Sequence, residues 1–265
     1  YGEMTDLYDR PYQTDYRNSV WNCGILPVYR QQLYSVYGEY KNTAREFFAT
    51  VNLTHNREWY NRIYEQRIEN GQVQRVSLPL SNHGSGYTVK STLSKGFYEL
   101  GLKTSFLVLL NISKAEQISG GQRLPYQYRL MRLEPKVIWT PNRHWETSYQ
   151  TDIRYGGNKI GERTRLAPLW NVTQQVQLSY IFSPIEASLS VDHYHNDVNE
   201  DQSVNAVFAD FSVSWKSGRW QITTTATNLF DKRTYAYTQY ASLESYTSWV
   251  RIRPREFLVA IRYQL

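Results

Sequence analysis

The C-terminal stretch from Arg253 to Leu265 restricts the possible folds of this chain more than any other segment. Apolar residues occupy every second position at its end, namely Phe257, Val259, Ile261, Tyr263 and Leu265. A period of two places these side chains on one face of a β-strand. A terminal edge strand with such a face would aggregate in water, whereas it fits the lipid-facing wall of a membrane barrel.

The composition favours a membrane barrel over a helical membrane protein. The chain contains 23 Tyr and 8 Trp, but its mean hydropathy is only −0.61. No apolar run approaches the roughly 18 residues that a transmembrane helix needs. Because only helices and closed barrels satisfy the backbone in lipid, we predict an all-β fold, an antiparallel transmembrane β-barrel.

The alternation of apolar and polar residues recurs along most of the chain. It is clearest within residues 47–54, 104–112, 145–155, 170–182, 185–192 and 207–215. We count about eleven strands, or about twelve if Gln13–Trp21 is also a strand. Bacterial single-chain barrels have even strand numbers, so an odd count that begins in mid-pattern predicts that the N-terminal part of a larger barrel is absent.

The connections between the predicted strands are of two kinds. Short turns are predicted at Lys41–Arg45, Glu99–Lys103, Thr140–His144, Ser183–Pro184 and Lys216–Arg219. Long polar links are predicted at Asn61–Gly86 (a hairpin with Asn70-Gly71 at its tip), Ala115–Pro125, Gly156–Pro168, Asn196–Ser203 and Asp231–Arg251. This asymmetry is typical of short periplasmic turns and long extracellular loops. The aromatic residues beside the short turns are then expected in the inner interfacial girdle, namely Trp139, Trp145, Phe182, Trp215 and Trp220.

The charge of the chain suits an anionic surface or an anionic ligand. The net charge is +6 and the pI is about 9.2, which fits lipopolysaccharide phosphates. Nucleic acid is not a predicted partner, because Lys and Arg are spread along the chain without a cluster. The single cysteine, Cys23, excludes an internal disulfide and a cysteine-based structural zinc site, and no cofactor is predicted.

Three segments near the C-terminus resemble the end of TonB-dependent outer-membrane receptors. They are SWKSGRW (Ser214–Trp220), ATNLFDKRTY (Ala226–Tyr235) and RPREFLVAIRYQL (Arg253–Leu265). The general pattern is similar to barrels of the Bacteroidota type. The chain departs from the family by ending on Leu265 instead of an aromatic residue. It also has about half of the family's roughly 22 strands, and no plug is visible. It therefore looks like one barrel domain, residues 1–265, that forms the C-terminal part of such a receptor.

The resemblance implies a transport function in the bacterial outer membrane. Such receptors take up a scarce nutrient, which is an iron chelate, a vitamin or an oligosaccharide. TonB acts on their plug and supplies inner-membrane energy, so it would act here through a plug that this chain does not contain. The chain would supply barrel wall, extracellular loops and an assembly signal for the barrel-assembly machinery. That signal comprises Phe257, Val259, Ile261, Tyr263 and Leu265. Outer-membrane lipid and lipopolysaccharide would surround the wall.

The best ligand-binding candidates lie in two of the long links. Aromatic and Arg residues concentrate binding energy, and an aromatic face can stack on a sugar or a catecholate. The candidates are Arg163, Arg165, Tyr237, Tyr240, Tyr246 and Trp249. The alternative is that Tyr235 and Trp249 belong to an outer aromatic girdle and that the arginines bind lipopolysaccharide phosphates.

Neither a metal site nor a catalytic site is predicted. His193 and His195 share the lipid-side face and lack a third convergent ligand. The spacing Asp197-x-Asn199-x-Asp201 opens like a calcium loop but lacks its turn Gly and closing Glu. The chain contains no Gly-x-Ser-x-Gly elbow, so enzymatic function is not predicted.

Three other interpretations stay open. A complete barrel of about twelve strands could act as a passive channel. A barrel whose loops mediate adhesion would keep the same wall. A soluble β-sandwich is the remaining fold, and extraction without detergent would identify it.

Overall fold

The computed structural model describes residues 4–69, 71–161, 164–165, 167–241 and 244–264. They form an all-β protein, with 76% strand and 3% helix. Their strands, in chain order, are β1 (Tyr12–Gln13), β2 (Asn18–Trp21), β3 (Tyr29–Asn42), β4 (Phe47–Tyr60), β5 (Ile63–Glu69), β6 (Gln72–Leu78), β7 (Asn82–Phe97), β8 (Leu102–Ser119), β9 (Gln122–Asn142), β10 (Trp145–Ile160), β11 (Thr164–Arg165), β12 (Leu169–Phe182), β13 (Ile185–Asp197), β14 (Ser203–Ser217), β15 (Trp220–Thr227), β16 (Thr234–Ala241), β17 (Glu244–Arg251) and β18 (Glu256–Tyr263). Two short 3-10 helices lie at Met4–Leu7 and Tyr98–Leu100. Within the described ranges, no helix is long and apolar enough to cross a bilayer.

Eleven of these strands form one continuous antiparallel sheet, which we call the wall. Its order is β3-β4-β7-β8-β9-β10-β12-β13-β14-β15-β18. The five predicted short turns all join neighbouring wall strands at the same end of the sheet, which confirms them. The longer connections lie at the opposite end, called the long-link end below. Among the described residues, β3 and β18 each have one wall neighbour, so the wall is an open sheet and not a closed barrel.

The wall has one apolar face and one polar face. The register aligns the apolar stripes of neighbouring strands, as in the row Leu53, Val89, Leu110, Met131 and Tyr155. Because side chains alternate across a strand, the residues between these stripes share the other face, which we call the polar face. There, for example, Gln150 pairs with Gln175, which pairs with Asp192. The predicted alternation is therefore confirmed as a property of the whole sheet.

Aromatic residues border the apolar face at the short-turn end. The ring centroid of Trp145 lies 4.7 Å from that of Tyr180, and the centroid of Trp220 lies 4.8 Å from that of Tyr263. Trp139 is 47% exposed and Trp220 is 51% exposed. The predicted location of the tryptophans beside the short turns is confirmed, and their role as an interfacial girdle stays a prediction.

A second group of aromatic side chains borders the apolar face toward the long-link end. Tyr155 and Trp170 lie 4.9 Å apart, centroid to centroid. On the strands nearer β3, the His55 ring stacks on Tyr87 at 4.2 Å and on Tyr34 at 6.2 Å. The apolar face is thus enclosed by aromatic rings at both ends.

The predicted link at Ala115–Pro125 is wrong. Strands β8 and β9 continue through it as a paired ladder, which turns only at Gly120-Gly121. Both glycines have positive φ, +57° and +76°, as a tight two-residue hairpin turn requires. This extension lies beyond the apolar face of the wall, and polar residues occur on both of its faces. A polar composition therefore did not distinguish a strand from a loop here.

The N-terminal part of the chain does not add a twelfth wall strand. Within Gln13–Trp21, only the two short strands β1 and β2 form, and β2 pairs in parallel with β6. The hairpin predicted around Gly71 is confirmed as β5–β6. A short parallel pairing attaches β5 to the end of β8. Together, β1, β2, β5 and β6 form a small sheet at the long-link end of the wall.

The link predicted at Asp231–Arg251 is also a hairpin, formed by β16 and β17. It folds back over the polar face. The Asn196 side-chain amide donates to the Ala236 carbonyl at 3.1 Å, a buried hydrogen bond. The Tyr194 ring packs edge-on against Tyr235 at 5.2 Å.

Candidate ligand-binding site

A cluster of charged side chains lies on the polar face of β9 and β10. Arg132 donates to both oxygens of Asp152 from Nε and Nη2, at 3.1 and 3.0 Å. Arg154 donates to Asp152 Oδ2 from Nε and Nη2, at 3.0 and 2.6 Å. Glu134 pairs with Arg132 at 2.5 Å. Two arginines and two carboxylates carry no net charge, and Asp152 fixes the orientation of both guanidinium groups.

These guanidinium groups retain hydrogen-bond donors for a ligand. Each guanidinium has five N–H donors. Within the described ranges, Nη1 of Arg132 and Nη1 of Arg154 have no partner. The side chain of Arg132 is 36% exposed and that of Arg154 is 47% exposed. Because the charges are already paired, the free donors suit neutral oxygen acceptors better than a second carboxylate.

The β16–β17 hairpin covers this cluster and closes a cleft of about 570 Å³, which we call the hairpin cleft. The volume is typical of a pocket for a small organic ligand. Its lining combines the charged cluster with aromatic rings and uncharged polar groups: Tyr128, Asn171, Thr173, Tyr235, Tyr237 and Gln239. The buried Oδ1 atom of Asn171 has no hydrogen-bond partner in the described part of the chain.

The hairpin is held by buried groups along its own length. Ala236 is 0% exposed and Thr238 is 1% exposed. The hydroxyl of Thr238 lies 2.8 Å from that of Thr247 across the hairpin. Buried polar groups need such partners, so this contact joins the two strands of the hairpin where Thr238 is buried.

The Asn-Leu-Phe-Asp-Lys sequence at residues 228–232 forms the base of the hairpin. Asn228 is 6% exposed. Its Nδ2 donates to the carbonyls of Lys232 and Arg253, at 2.9 and 2.8 Å, and its Oδ1 accepts from the Lys232 amide at 2.9 Å. Asp231 accepts a hydrogen bond from the Arg255 amide and pairs with Arg233, and these contacts lower its pKa. The motif therefore ties the start of the hairpin to its end.

A second cleft, of about 710 Å³, lies where the β5–β6 hairpin meets the polar face. We call it the upper cleft. The ring of Tyr64 is flanked by two guanidinium groups, Arg75 at 3.7 Å and Arg62 at 5.2 Å from the ring centroid. Arg62 also forms a largely buried ion pair with Asp6 at 2.8 Å. These cation–π and ion-pair contacts hold the cleft wall in shape.

The predicted ligand residues of β16 and β17 are separated by the fold. Tyr237 is half-buried and lines the hairpin cleft. Tyr246 is 52% exposed and lines the upper cleft. Trp249 is 67% exposed and lines neither cleft. Tyr240 lies in β16 opposite Ser245, and its side chain is outside the described residues. Tyr235 lies over the polar face, where its ring packs against Tyr194 and lines the hairpin cleft. This position disfavours the alternative assignment of Tyr235 to an outer girdle.

The predicted arginines of the 156–168 link give no site in the structure. Arg163 lies outside the described residues. Arg165 lies in β11, opposite Lys159 of β10, and its side chain is not among those described. The role of both residues stays a prediction.

Apart from Tyr237, the residues that form the hairpin cleft were not among the sequence-based candidates. The sequence analysis did not single out Arg132, Asp152, Arg154 or Tyr128 as ligand residues. The signal is present in the sequence, because Arg132-x-Glu134 and Asp152-x-Arg154 each place two charges on one strand face. Only the pairing register shows that the charged pair of β9 lies beside the charged pair of β10.

The predicted assembly signal lies at an open edge of the wall. Phe257, Val259, Ile261 and Tyr263 are between 45% and 71% exposed and share the apolar face. Each pairs with an apolar-face residue of β15, for example Ile261 with Ile222. Leu265 lies outside the described residues. The alternating geometry is confirmed, and the assembly role stays a prediction.

No family model, no curated protein and no solved structure matches this chain.

Proposed function

We propose that this chain forms barrel wall and extracellular loops of a TonB-dependent receptor that takes up a nutrient across the bacterial outer membrane. The observation that carries the proposal is the two-faced wall. It has a continuous apolar face bordered by aromatic rings, and a polar face with ligand-sized clefts. Lipid would cover the apolar face, and the polar face would line the lumen.

The height of the apolar face supports the membrane assignment. Trp145 and Tyr155 of β10 pair with Tyr180 and Trp170 of β12, so about ten residues separate the two aromatic borders. At about 3.4 Å per residue and a strand tilt of about 40°, the borders lie roughly 25 Å apart. This distance matches the apolar band of outer-membrane barrels, which is about 25 Å tall.

The direction of the edge strands supports a larger barrel over a self-contained channel. Both β3 and β18 run from the long-link end to the short-turn end, because the wall has an odd number of strands. Direct pairing of β3 with β18 would therefore be parallel. An all-antiparallel barrel needs an odd number of additional strands between them, and about eleven more would give the roughly 22 of this receptor class.

The hairpin cleft favours an oligosaccharide among the predicted ligand classes. Tyr rings offer flat faces for sugar rings, and oriented Arg, Asn and Gln side chains suit hydroxyl groups. An iron chelate with net negative charge would compete with Asp152 and Glu134 for the same guanidinium groups. TonB would act through the plug domain of such a receptor.

Binding by the protein purified in detergent tests the proposal. We expect a neutral oligosaccharide to bind and Tyr237→Ala to weaken binding about tenfold, since one aromatic stacking contact contributes about 1.4 kcal/mol. Tyr98→Ala, at a short turn and 89% exposed, is the matched control and should bind as the wild type does. Binding of a catecholate iron chelate instead, unaffected by Tyr237→Ala, would overturn the ligand assignment. Extraction of the protein without detergent would overturn the membrane role.

A further inference from the structure

Basic side chains form a band on the apolar face, beyond its aromatic border at the long-link end. One row of paired residues across neighbouring wall strands consists of Gln32, Arg57, Ser85, Lys114, Gln127 and Lys159. Arg129 lies one row closer to the apolar band, opposite Ile112. Arg30 lies one row farther from it, opposite Trp59. We call Arg30, Arg57, Lys114, Arg129 and Lys159 the outward basic patch.

The charges of this patch are not neutralised by the protein. Among the described residues, no carboxylate forms an ion pair with any of the five. On the polar face, by contrast, Arg132 and Arg154 are paired with Asp152. Four side chains of the patch are exposed and Lys159 is half-exposed. An uncompensated cationic surface of this kind attracts anions.

The patch also contains a concave site. A cleft of about 310 Å³ is lined by Lys114, Lys159, His83 and Gln127. Its one carboxylate, Glu116, is already paired with Arg123 at 3.0 Å. Lys114 and Lys159 stand two strands apart, which corresponds to about 10 Å. Two phosphate groups of one headgroup could therefore be bound at the same time.

The level of the patch relative to the apolar face indicates the kind of anion. The patch begins where the stacked rings of Tyr34, His55 and Tyr87 end the apolar band. Aromatic rings occupy the interface between lipid tails and headgroups, so the next rows of residues meet lipid headgroups. Anionic headgroups attract Lys and Arg at this level.

We propose that the outward basic patch binds the phosphate groups of a phosphorylated glycolipid in the outer leaflet, the lipid portion of lipopolysaccharide. The inference rests on the membrane orientation proposed above. Arg57 and Arg129 flank the phosphate site formed by Lys114 and Lys159, and the aromatic stack contacts the acyl chains below it.

Lipid binding to the purified protein in detergent tests this site. The probes are diphosphorylated lipid A, its form lacking both phosphates, and phosphatidylglycerol. We expect the double variant Lys114→Gln/Lys159→Gln to bind diphosphorylated lipid A about 10- to 30-fold more weakly than the wild type. The difference should shrink at high salt. Arg143→Gln/Arg219→Gln, in two short turns at the opposite end of the wall, removes the same charge and should bind as the wild type does.

The outcomes separate this inference from the proposed function. Equal binding of diphosphorylated lipid A by the wild type and the Lys114→Gln/Lys159→Gln variant would overturn the site while leaving the membrane role intact. Equal binding of the dephosphorylated form would also overturn it, because phosphate recognition would be absent. Stronger binding of phosphatidylglycerol than of diphosphorylated lipid A would overturn the glycolipid assignment, because the patch would then bind an ordinary anionic phospholipid. Failure of the protein to associate with any lipid or detergent would instead overturn the membrane role.

Discussion

The base of the β16–β17 hairpin gives the sharpest test of how the hairpin cleft is held. Replacing Asn228 by Ala removes three side-chain hydrogen bonds at 2.8 to 2.9 Å, each contributing about 1 kcal/mol. Asn228 also has φ +50°, a left-handed conformation that costs Ala about 1 kcal/mol more. The two effects together amount to about 4 kcal/mol, or roughly a thousandfold change in the opening equilibrium of the hairpin.

Hydrogen exchange measured by mass spectrometry reports this opening directly. We expect the protection of amides in β16 and β17 to fall by about 10²- to 10³-fold in Asn228→Ala, while amides of the β12–β13 pair keep their wild-type protection. Asn228→Gly separates the two contributions, because Gly adopts positive φ freely and loses only the hydrogen bonds. Its protection should fall by about 10²-fold. Unchanged protection in Asn228→Ala would refute the view that residues 228–232 hold the hairpin over the cleft.

Two further predictions concern the wall edge and the hairpin base. Ile261→Lys puts a charge on the apolar face of the terminal strand. If lipid covers this face as proposed, we expect a cost of about 2–4 kcal/mol and reduced outer-membrane levels. Ala260→Lys, on the polar face of the same strand, should leave those levels near wild type, and equal loss in both variants would contradict the face assignment. Hydrogen bonding lowers the folded-state pKa of Asp231. The ionised carboxylate therefore stabilises the base of the hairpin above the unfolded pKa of about 4, and this stabilisation is lost as the pH falls from there through the folded-state pKa. Pepsin cleavage within β16–β17 should therefore rise between about pH 4 and pH 2, and Asp231→Asn should be cleaved readily across that range.

The inward position of the hairpin changes how a ligand would meet this protein. The sequence-based expectation placed Tyr237 and Tyr246 on extracellular loops, where a ligand would first make contact. In the structure, both line clefts on the polar face of the wall. A ligand in the hairpin cleft would contact β9, β10 and β12 together with the hairpin, so the rigid wall would orient it.

Local sequence pattern predicted the wall strands and their faces because the period of two is a property of each strand alone. The short turns were found for a similar reason, since turn residues and flanking aromatic residues are close in sequence. The pattern failed at Ala115–Pro125, where polar residues lie on both faces of the β8–β9 extension and the apolar alternation is interrupted. It also failed at residues 231–251, where polar and aromatic composition does not reveal that the segment packs on the wall as a hairpin.

The sequence by itself determined an all-β chain whose apolar residues share one strand face up to the C-terminus, and it determined the end of the sheet at which the turns are short. The tertiary structure decided which side chains meet. Arg132 and Asp152 are twenty positions apart, and Asn196 and Ala236 are forty apart, so their contacts depend on strand register and on the inward fold of the hairpin. The outward basic patch has the same origin, because its members lie singly on five strands and become neighbours only when the ladder aligns them. Register is set by all the strand pairs together, and for that reason no single segment of the sequence reveals it.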